Sequence, residues 1–231
     1  MKITGLQKMT LLDFPGRIAC TVFLQGCNFR CPFCHNSDLL DGEGAQQIAV
    51  EELLTFLKKR KGMLDGVCIT GGEPTLSPDL GQLLEQIKVL GFSVKLDTNG
   101  TNPRMLKELV RAGLIDYVAM DIKNSPSRYS QTSGIPGLAM EKIEESMAFL
   151  LTGSLEYEFR TTVVEELHEE ADFTEIGLWL RKLAPDHKAK RFFLQCYRDT
   201  ESVLQSGLHA PEFDKLRHFS QLLGPFVDSV E

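Results

Sequence analysis

The chain has 231 residues, of which 42% are hydrophobic and 25% are charged, and these values exclude collagen-like, mucin-like and broadly disordered proteins. Its 32 acidic residues outnumber the 25 basic ones, and the net charge of -7 disfavours a protein that binds nucleic acid through phosphates. No run approaches about 18 consecutive apolar residues, and the first residues lack the apolar core of a secretion signal. We therefore expect a cytoplasmic protein that binds neither membranes nor nucleic acid.

Short apolar runs alternate along the chain with segments that have the spacing of amphipathic helices. The predicted strands are Ile18–Leu24, Val67–Thr70, Val94–Asp97, Tyr117–Asp121, Glu156–Val164 and Phe192–Tyr197. The predicted helices are Val50–Arg60, Leu80–Leu90, Pro103–Ala112, Met140–Leu151, Phe173–Leu183 and Pro211–Leu222. This alternation predicts an α/β fold with a parallel sheet and right-handed crossovers, either an open doubly wound sheet or an incomplete barrel. The longest stretch without either pattern is Ser125–Leu138, which is expected to form a flexible rim.

Ionisable or cysteine-containing loops follow most of the predicted strands. In both candidate folds the loops at the carboxyl ends of the strands form the functional site. The residues at or just beyond these ends, together with one arginine inside the fifth strand, are Cys27, Gly71, Gly72, Glu73, Asp97, Thr98, Asp121, Lys123, Arg160 and Cys196. Their concentration at the strand ends indicates an enzyme.

Three of the six cysteines, Cys27, Cys31 and Cys34, form the pattern Cys-x3-Cys-x2-Cys. Crowded thiols in a reducing compartment indicate metal ligands rather than disulfides. A structural zinc site needs four ligands, and a second pair is missing here, whereas a cubane iron–sulfur cluster accepts three cysteines and leaves one iron open. We therefore favour a cluster, with zinc and redox or structural thiols as alternatives. The other three cysteines are expected to be small buried core residues.

The segment CNFRCPFC resembles the cysteine signature of the radical S-adenosylmethionine (SAM) superfamily, and the phrase TGGEP follows downstream. The phrases LLDFPGR, VFLQGCNFRCPFCHN, TGGEP, LDTNG and MDIK closely resemble the activating enzymes of glycyl-radical enzymes. Within that family the opening is most similar to the longer form of the anaerobic ribonucleoside-triphosphate reductase activating proteins. The resemblance implies an open (β/α)6 partial barrel in a single domain over residues 1–231, with its core at about 15–200 and a C-terminal helical segment at about 208–224.

The resemblance also implies the chemistry. In the family, the open iron of a [4Fe–4S] cluster chelates SAM, and one electron cleaves SAM to methionine and a 5′-deoxyadenosyl radical. That radical takes a hydrogen from one glycine of a partner protein, here an anaerobic ribonucleotide reductase. Between Cys34 and Gly71 the only cysteine is Cys68. We therefore expect a single cluster that is reduced by an external flavodoxin or ferredoxin.

The family's residue roles carry over to matching positions of this chain. Cys27, Cys31 and Cys34 are implied to hold the cluster, and Phe33 to lie against the adenine of SAM. The backbone that approaches the methionine ammonium is implied to be that of Gly71, Gly72 and Glu73, because a glycine has no Cβ to prevent a close approach.

Three further strand ends are implied to bind SAM through Asp97, Thr98, Asp121, Lys123 and Arg160. The two acids and Thr98 are also implied to hold a monovalent cation. Lys123 is expected to meet the SAM carboxylate as a point charge.

One position departs from the family pattern. The formate-lyase relatives have a histidine after the sixth strand that contacts SAM, and the segment from Gln195 to Arg198 has none. Gln195 and Arg198 are therefore the candidates for that contact.

Three other functions stay open from the residues: activation of another glycyl-radical enzyme, a small-molecule radical SAM reaction such as 7-deazaguanine synthesis, and a non-catalytic zinc or iron–sulfur interaction module. The three-residue gap between the first two cysteines disfavours the deazaguanine reaction, and the acidic strand ends disfavour the interaction module.

Overall fold

The computed structural model describes residues 1–41, 47–200 and 202–231. Its strands are β1 (Ile3–Thr10), β2 (Ala19–Leu24), β3 (Gly66–Gly71), β4 (Ser93–Thr98), β5 (Tyr117–Asp121), β6 (Glu156–Val163), β7 (Ala189–Cys196) and β8 (Val227–Val230). Its helices are α1 (Asp38–Asp41), α2 (Val50–Lys59), α3 (Leu80–Val89), α4 (Pro103–Arg111), α5 (Tyr129–Ser133), α6 (Met140–Thr152), α7 (Glu170–Leu183) and α8 (Phe213–Leu223), with a short 3-10 turn at Pro74–Leu76. Within these ranges no helix is both long enough and apolar enough to cross a membrane.

The strands form one open sheet in chain order from β1 to β8. β1 pairs antiparallel with β2, whereas the pairs β2–β3, β3–β4, β6–β7 and β7–β8 are parallel. Helices lie between the strands of these parallel pairs, because parallel neighbours need a crossover connection. The α/β fold predicted from the alternating pattern is therefore confirmed, as a mixed sheet rather than a purely parallel one.

All six predicted strands and all six predicted helices are present, with ends that shift by at most a few residues. The sequence analysis missed β1 and β8, the first and last strands of the sheet. β1 buries only its two end residues, Ile3 and Thr10, so it lacks the apolar alternation of a half-buried strand. β8 has only four residues, and it returns the C-terminal segment to the sheet after α8.

The prediction of a flexible rim at Ser125–Leu138 is wrong for its first part, which contains α5. Tyr129 and Ser133 on this helix are fully buried. The polar composition misled the sequence reading because hydroxyl groups here are bonded inside the protein: the Ser125 hydroxyl, for example, donates to Asp172 Oδ1 at 2.7 Å. A buried polar group is tolerated when such a partner satisfies it.

By their contacts, the residues form two compact units. The first unit comprises Met1–Asn28, Asp38–Thr98 and Arg104–Ala119. Its LLDFPGR segment, between β1 and β2, contributes Phe14 to a buried cluster with Ala19 and Tyr117, and the two rings lie 6.0 Å apart. Gly66 leaves room for the Phe14 ring, since a Cβ there would approach it to 2.9 Å. This motif therefore has a packing role in the first unit.

The second unit comprises Phe29–Ser37, Asn99–Pro103 and Met120–Glu231. Aromatic pairs join its elements: Phe159 on β6 meets Phe192 on β7 with ring centroids 6.3 Å apart, and Phe173 on α7 stacks on Phe219 of α8 at 4.2 Å. Such pairs add stability beyond their buried area.

Candidate functional site

The glycine turn after β3 packs backbone to backbone against the loop that precedes the cysteine motif. Gly71 has a φ of 119°, and a Cβ there would overlap the backbone of Leu24. A Cβ on Gly72 would overlap the carbonyl oxygen of Gly26. The Gly72 N–H donates to Leu24 O at 2.9 Å and the Glu73 N–H donates to Gly26 O at 2.7 Å. The two glycines are therefore required by contact with the chain itself.

We expect Gly72→Ala to lower the free energy of unfolding by about 2 kcal/mol, because the methyl group forces the Gly26 backbone away. Gly81→Ala is the matched control. A Cβ at Gly81, within α3, meets only Leu109 at 3.6 Å, so alanine there should be neutral or add about 0.5–1 kcal/mol. Urea unfolding of both variants checks this, and equal stabilities would contradict the close approach at Gly72.

Glu73 lies buried at the end of β3 and binds the end of β4. Its Oε1 accepts hydrogen bonds from the Thr75 N–H at 3.1 Å, from the Thr75 hydroxyl, and from the Thr98 hydroxyl at 2.8 Å. The carboxylate therefore caps the 3-10 turn and ties two neighbouring strand ends together. The structure brings Glu73 and Thr98 together, with their side chains bonded to each other.

Asp97 on β4 is paired with a lysine that the sequence analysis did not single out. Asp97 Oδ1 lies 2.6 Å from Lys95 Nζ and accepts a weak hydrogen bond from Cys68 Sγ at 3.7 Å. Lys95 is only 1% exposed. The sequence could have indicated this lysine, because it stands between a valine and a leucine on a strand predicted to be buried.

The cysteines outside the motif divide into two kinds. Cys20 and Cys68 are fully buried, as predicted. Burial raises the pKa of the Cys20 thiol to about 12, so this residue stays a neutral thiol. Cys196 is exposed, and the prediction of burial is wrong for it, because the last residues of β7 leave the core.

Two motif cysteines lie in the second unit, on a loop supported by α5. Cys31 is buried, and its carbonyl accepts the Cys34 N–H at 3.0 Å. Ser133 O accepts the Arg30 N–H at 2.8 Å and faces the Cys31 Sγ at 4.0 Å. Gly134 follows in the left-handed conformation, where a Cβ would overlap the Arg30 carbonyl. The cysteine loop therefore rests on the end of a helix that the sequence analysis took for a flexible loop.

A chain of buried aromatic rings supports the same loop. The Phe29 ring meets Tyr129 edge-on at 6.5 Å, and Tyr129 meets Trp179 at 6.1 Å. The Tyr129 hydroxyl donates to the Asp121 carbonyl at 3.3 Å, which joins α5 to the end of β5. Burial raises the pKa of Tyr129, so it remains a neutral donor.

Asp121, Lys123 and Arg160, all predicted to bind SAM, form one ion cluster. Asp121 Oδ2 lies 2.8 Å from Lys123 Nζ, and Asp121 Oδ1 lies 2.9 Å from Arg160 Nη2. Burial by itself would raise the pKa of Asp121, but the charges of the two cations outweigh it and hold that pKa well below its usual range. Burial likewise opposes the charge of Lys123, and Asp121 followed by Cys31 raises the pKa of this lysine above its usual range. The lysine is therefore charged and lies within the field of a motif cysteine.

His168, missed by the sequence analysis, holds the backbone beside this cluster. Its Nδ1 accepts the Val164 N–H at 3.1 Å, so Nε2 carries the proton and donates to the Lys123 carbonyl at 3.0 Å. Phe33, the residue predicted to contact adenine, is buried and meets the His168 ring edge-on at 6.4 Å. Burial lowers the pKa of His168, which keeps the ring neutral. We interpret it as a positioning residue for Lys123 and Phe33.

His168 gives a specific pH dependence of stability. Its folded pKa lies below the unfolded value of about 6.5, so protonation favours unfolding, and stability is lost as pH falls below that value. We expect His168→Gln to reduce the slope of unfolding free energy against pH between pH 7.5 and 5.5 by up to about 1.4 kcal/mol per unit. His187→Gln, at an exposed histidine, is the matched control. Equal slopes for both variants in urea unfolding would show that His168 titrates normally.

The segment after β7 contacts the residue that follows the cysteine motif. The His35 ring stacks on Tyr197 at 5.5 Å, and its Nε2 bonds the Arg198 carbonyl at 2.6 Å. Gln195 and Arg198 are the two candidates to replace the SAM-contacting histidine of the formate-lyase relatives. Both side chains are exposed. Across the described ranges, no group of three or more histidine, cysteine, aspartate or glutamate side chains is arranged to hold a single metal ion.

Comparison with known proteins gives both sequence and structural matches. Residues 21–164 match the radical SAM superfamily. A candidate glycyl-radical enzyme activating enzyme of Methanocaldococcus jannaschii is 30% identical, over 99% of this chain and 94% of that protein. The pyruvate formate-lyase 1-activating enzyme of Escherichia coli is 27% identical, over 74% of this chain and 71% of that enzyme. Among solved structures, Streptococcus suis SuiB matches with a TM-score of 0.68 at 14% identity, over 91% of this chain and 48% of SuiB, a likeness of fold alone.

Proposed function

Because the chain belongs to the radical SAM superfamily and, within it, to the glycyl-radical enzyme activating enzymes, we propose that it installs the glycyl radical of an anaerobic ribonucleoside-triphosphate reductase. The family implies a [4Fe–4S] cluster and SAM. With one electron from an external donor, these would supply methionine and a 5′-deoxyadenosyl radical able to take the hydrogen from one glycine Cα of the reductase. The choice of reductase rests on the opening sequence, whose GLQKMTLLDFPGR phrase resembles the activating proteins of that enzyme. We also propose that residues 1–231 act as one radical SAM domain in the cytoplasm.

The observation that carries the proposal is the ion cluster of Asp121, Lys123 and Arg160. Lys123 and Arg160 share the Asp121 carboxylate, and Glu158 Oε1 also lies 4.0 Å from Arg160, so we assign Lys123, as a point charge, to an anionic group such as the SAM carboxylate. The charge of Cys31 contributes to the raised pKa of Lys123, which relates this cluster to a proposed iron ligand. His168 fixes the Lys123 backbone, so the ammonium is presented from a rigid strand end.

For the iron–sulfur cluster we propose Cys27, Cys31 and Cys34 as ligands, with an external flavodoxin or ferredoxin as the electron donor. A set of three thiols without a fourth protein ligand fits a cluster that leaves one iron open for SAM. The buried Oε1 of Gln25, two residues before the motif, has no hydrogen-bond partner within the described residues. Such an orphaned acceptor fits a site where a ligand supplies the missing donor.

For SAM we propose further contacts from the remaining predicted residues. The ring of Phe33 would lie against adenine, and the backbone after β3 would meet the methionine ammonium. That backbone, and the end of the neighbouring strand, are formed by Gly71, Gly72, Glu73, Asp97 and Thr98. Because the Glu73 and Thr98 side chains bond each other, we assign these two residues to the site through their backbone and through the rigidity of the strand ends.

The experiment is an anaerobic reaction of the reconstituted and reduced protein with SAM and the anaerobic ribonucleotide reductase of the same organism. We expect a glycyl-radical doublet in the EPR spectrum of the reductase, together with 5′-deoxyadenosine. The control replaces the reductase by a variant whose glycyl-radical site is alanine, which should give no doublet. 5′-Deoxyadenosine without a doublet on the native reductase would overturn the choice of reductase and favour another glycyl-radical enzyme. The absence of both 5′-deoxyadenosine and the doublet would overturn the radical SAM reaction itself.

A further inference from the structure

Lys95 lies inside the first unit, on the same face of β4 as Asp97. Side chains two residues apart on a strand point to the same face, so strand geometry makes the lysine and the aspartate neighbours. Lys95 is also in register with Cys68 on the adjacent parallel strand, and that thiol reaches the same carboxylate oxygen. Nζ of Lys95 also lies 6.0 Å from the ring of Tyr117. The ammonium is thus held on several sides by buried groups.

This ammonium already pairs with the carboxylate that a bound cation would need. A monovalent cation at the end of β4 would use a carboxylate oxygen of Asp97, yet Oδ1 is already 2.6 Å from Nζ of Lys95. Lys95 is 1% exposed, so it is not a surface side chain that can leave for water. A buried charge is stable only while it stays paired. A second cation at Asp97 would therefore meet a fixed like charge.

The other implied ligands of a cation are also bound by the chain's own groups. The Thr98 hydroxyl donates to Glu73 Oε1 at 2.8 Å. In the second unit, both oxygens of Asp121 contact cationic side chains, one from Lys123 and one from Arg160. The residues therefore do not fit the monovalent cation that the family resemblance implies.

We propose that the Lys95 ammonium is the permanent counter-ion of Asp97 and replaces a monovalent cation at this strand end. The charge that relatives of this fold would take from solution is here covalently attached to the chain. SAM binding by the enzyme is then independent of the kind of salt present. The part of this inference that concerns SAM rests on the proposed function, and the part that concerns Asp97 does not.

The test compares the reconstituted protein in sodium, potassium and choline chloride at equal ionic strength, since choline is too large to replace a coordinated alkali ion. Two quantities are measured: the midpoint of thermal unfolding, without SAM, and the SAM dissociation constant by equilibrium dialysis. For the wild type we expect equal midpoints, and dissociation constants that agree within about twofold, because a fixed ion pair does not depend on which salt is present. An alkali-dependent midpoint, or a loss of SAM affinity by about tenfold in choline, would overturn the inference.

Lys95→Met supplies the complementary result, since it removes the charge and keeps an unbranched side chain. We expect this variant to gain alkali dependence, with SAM affinity about tenfold lower in choline than in potassium, because Asp97 then needs an external counter-ion. The double variant Lys95→Met/Asp97→Asn lacks the carboxylate and should be insensitive to the salt. A Lys95→Met protein that folds and shows no alkali dependence would contradict the counter-ion role. If this variant does not fold, the salt dependence of the wild type and of the double variant still tests that role. If the wild type binds no SAM in any salt, the proposed function fails, and the unfolding midpoints still test the pairing of Lys95 with Asp97.

Discussion

Replacing Cys31 with alanine is expected to abolish both cluster binding and SAM cleavage while the chain stays folded. The Cys31 thiol is buried, faces the end of α5 and contributes to the field at Lys123, and alanine removes the thiol. Alanine keeps the backbone, including the Cys31 carbonyl that accepts the Cys34 N–H. Losing an outer-shell partner of a metal ligand costs about 10–100-fold, so losing a ligand itself should cost more than about 100-fold in 5′-deoxyadenosine formation.

Iron and sulfide content, measured after anaerobic reconstitution, separates the loss of the cluster from a slower reaction on an intact one. Cys196→Ala is the matched control, because this thiol is exposed and lies outside the motif. It should keep the wild-type iron content and the wild-type rate. A Cys31→Ala protein that retains iron and still forms 5′-deoxyadenosine would refute the ligand assignment.

The sequence predicted those parts of the fold that depend on local apolar pattern. β3 and β5 are continuous buried runs, and helices such as α2 show the spacing of a single apolar face, so periodicity located them within a few residues. Parallel strands place their carboxyl ends at one edge, and this rule made Asp97 and Asp121 candidates for a site, an assignment that stays a prediction.

The remaining parts depend on partners that are distant in sequence. The sequence of α5 is YSQTS, a polar run. It is buried because residues distant in sequence supply hydrogen-bond partners for the polar groups around it, as when the Asn124 side chain donates to the Leu167 carbonyl. His168 stands in an acidic, helix-like run, and only the folded chain brings its ring to the Lys123 carbonyl. Lys95 carried a local signal, a charge in a buried strand, but its meaning depends on the aspartate beside it.

Asp121→Asn should strongly destabilise the second unit. The carboxylate joins two cations, and its removal takes away the anion nearest to both, leaving Arg160 with Glu158 at 4.0 Å. Breaking a buried ion pair costs about 3–5 kcal/mol, and because the Asp121 side chain is 28% exposed we expect about 3 kcal/mol at pH 7. Lys123→Met is the matched control: Asp121 keeps Arg160, so we expect a loss of about 1 kcal/mol, together with weaker SAM binding and an unchanged iron content.

The pH dependence of this difference identifies its cause. The pKa of Asp121 is lowered in the folded state, so its contribution is fully present above the unfolded value of about 3.9 and is lost as pH falls below it. The pKa of Lys123 is raised, so its share is present below about 10.4 and is lost only at higher pH. The gap in unfolding free energy between wild type and Asp121→Asn should therefore stay constant between about pH 5 and 9 and shrink in acid. A gap that persists undiminished to the lowest pH at which the wild type stays folded would mean that asparagine disturbs packing, and that the charge of Asp121 does not hold the two cations in place.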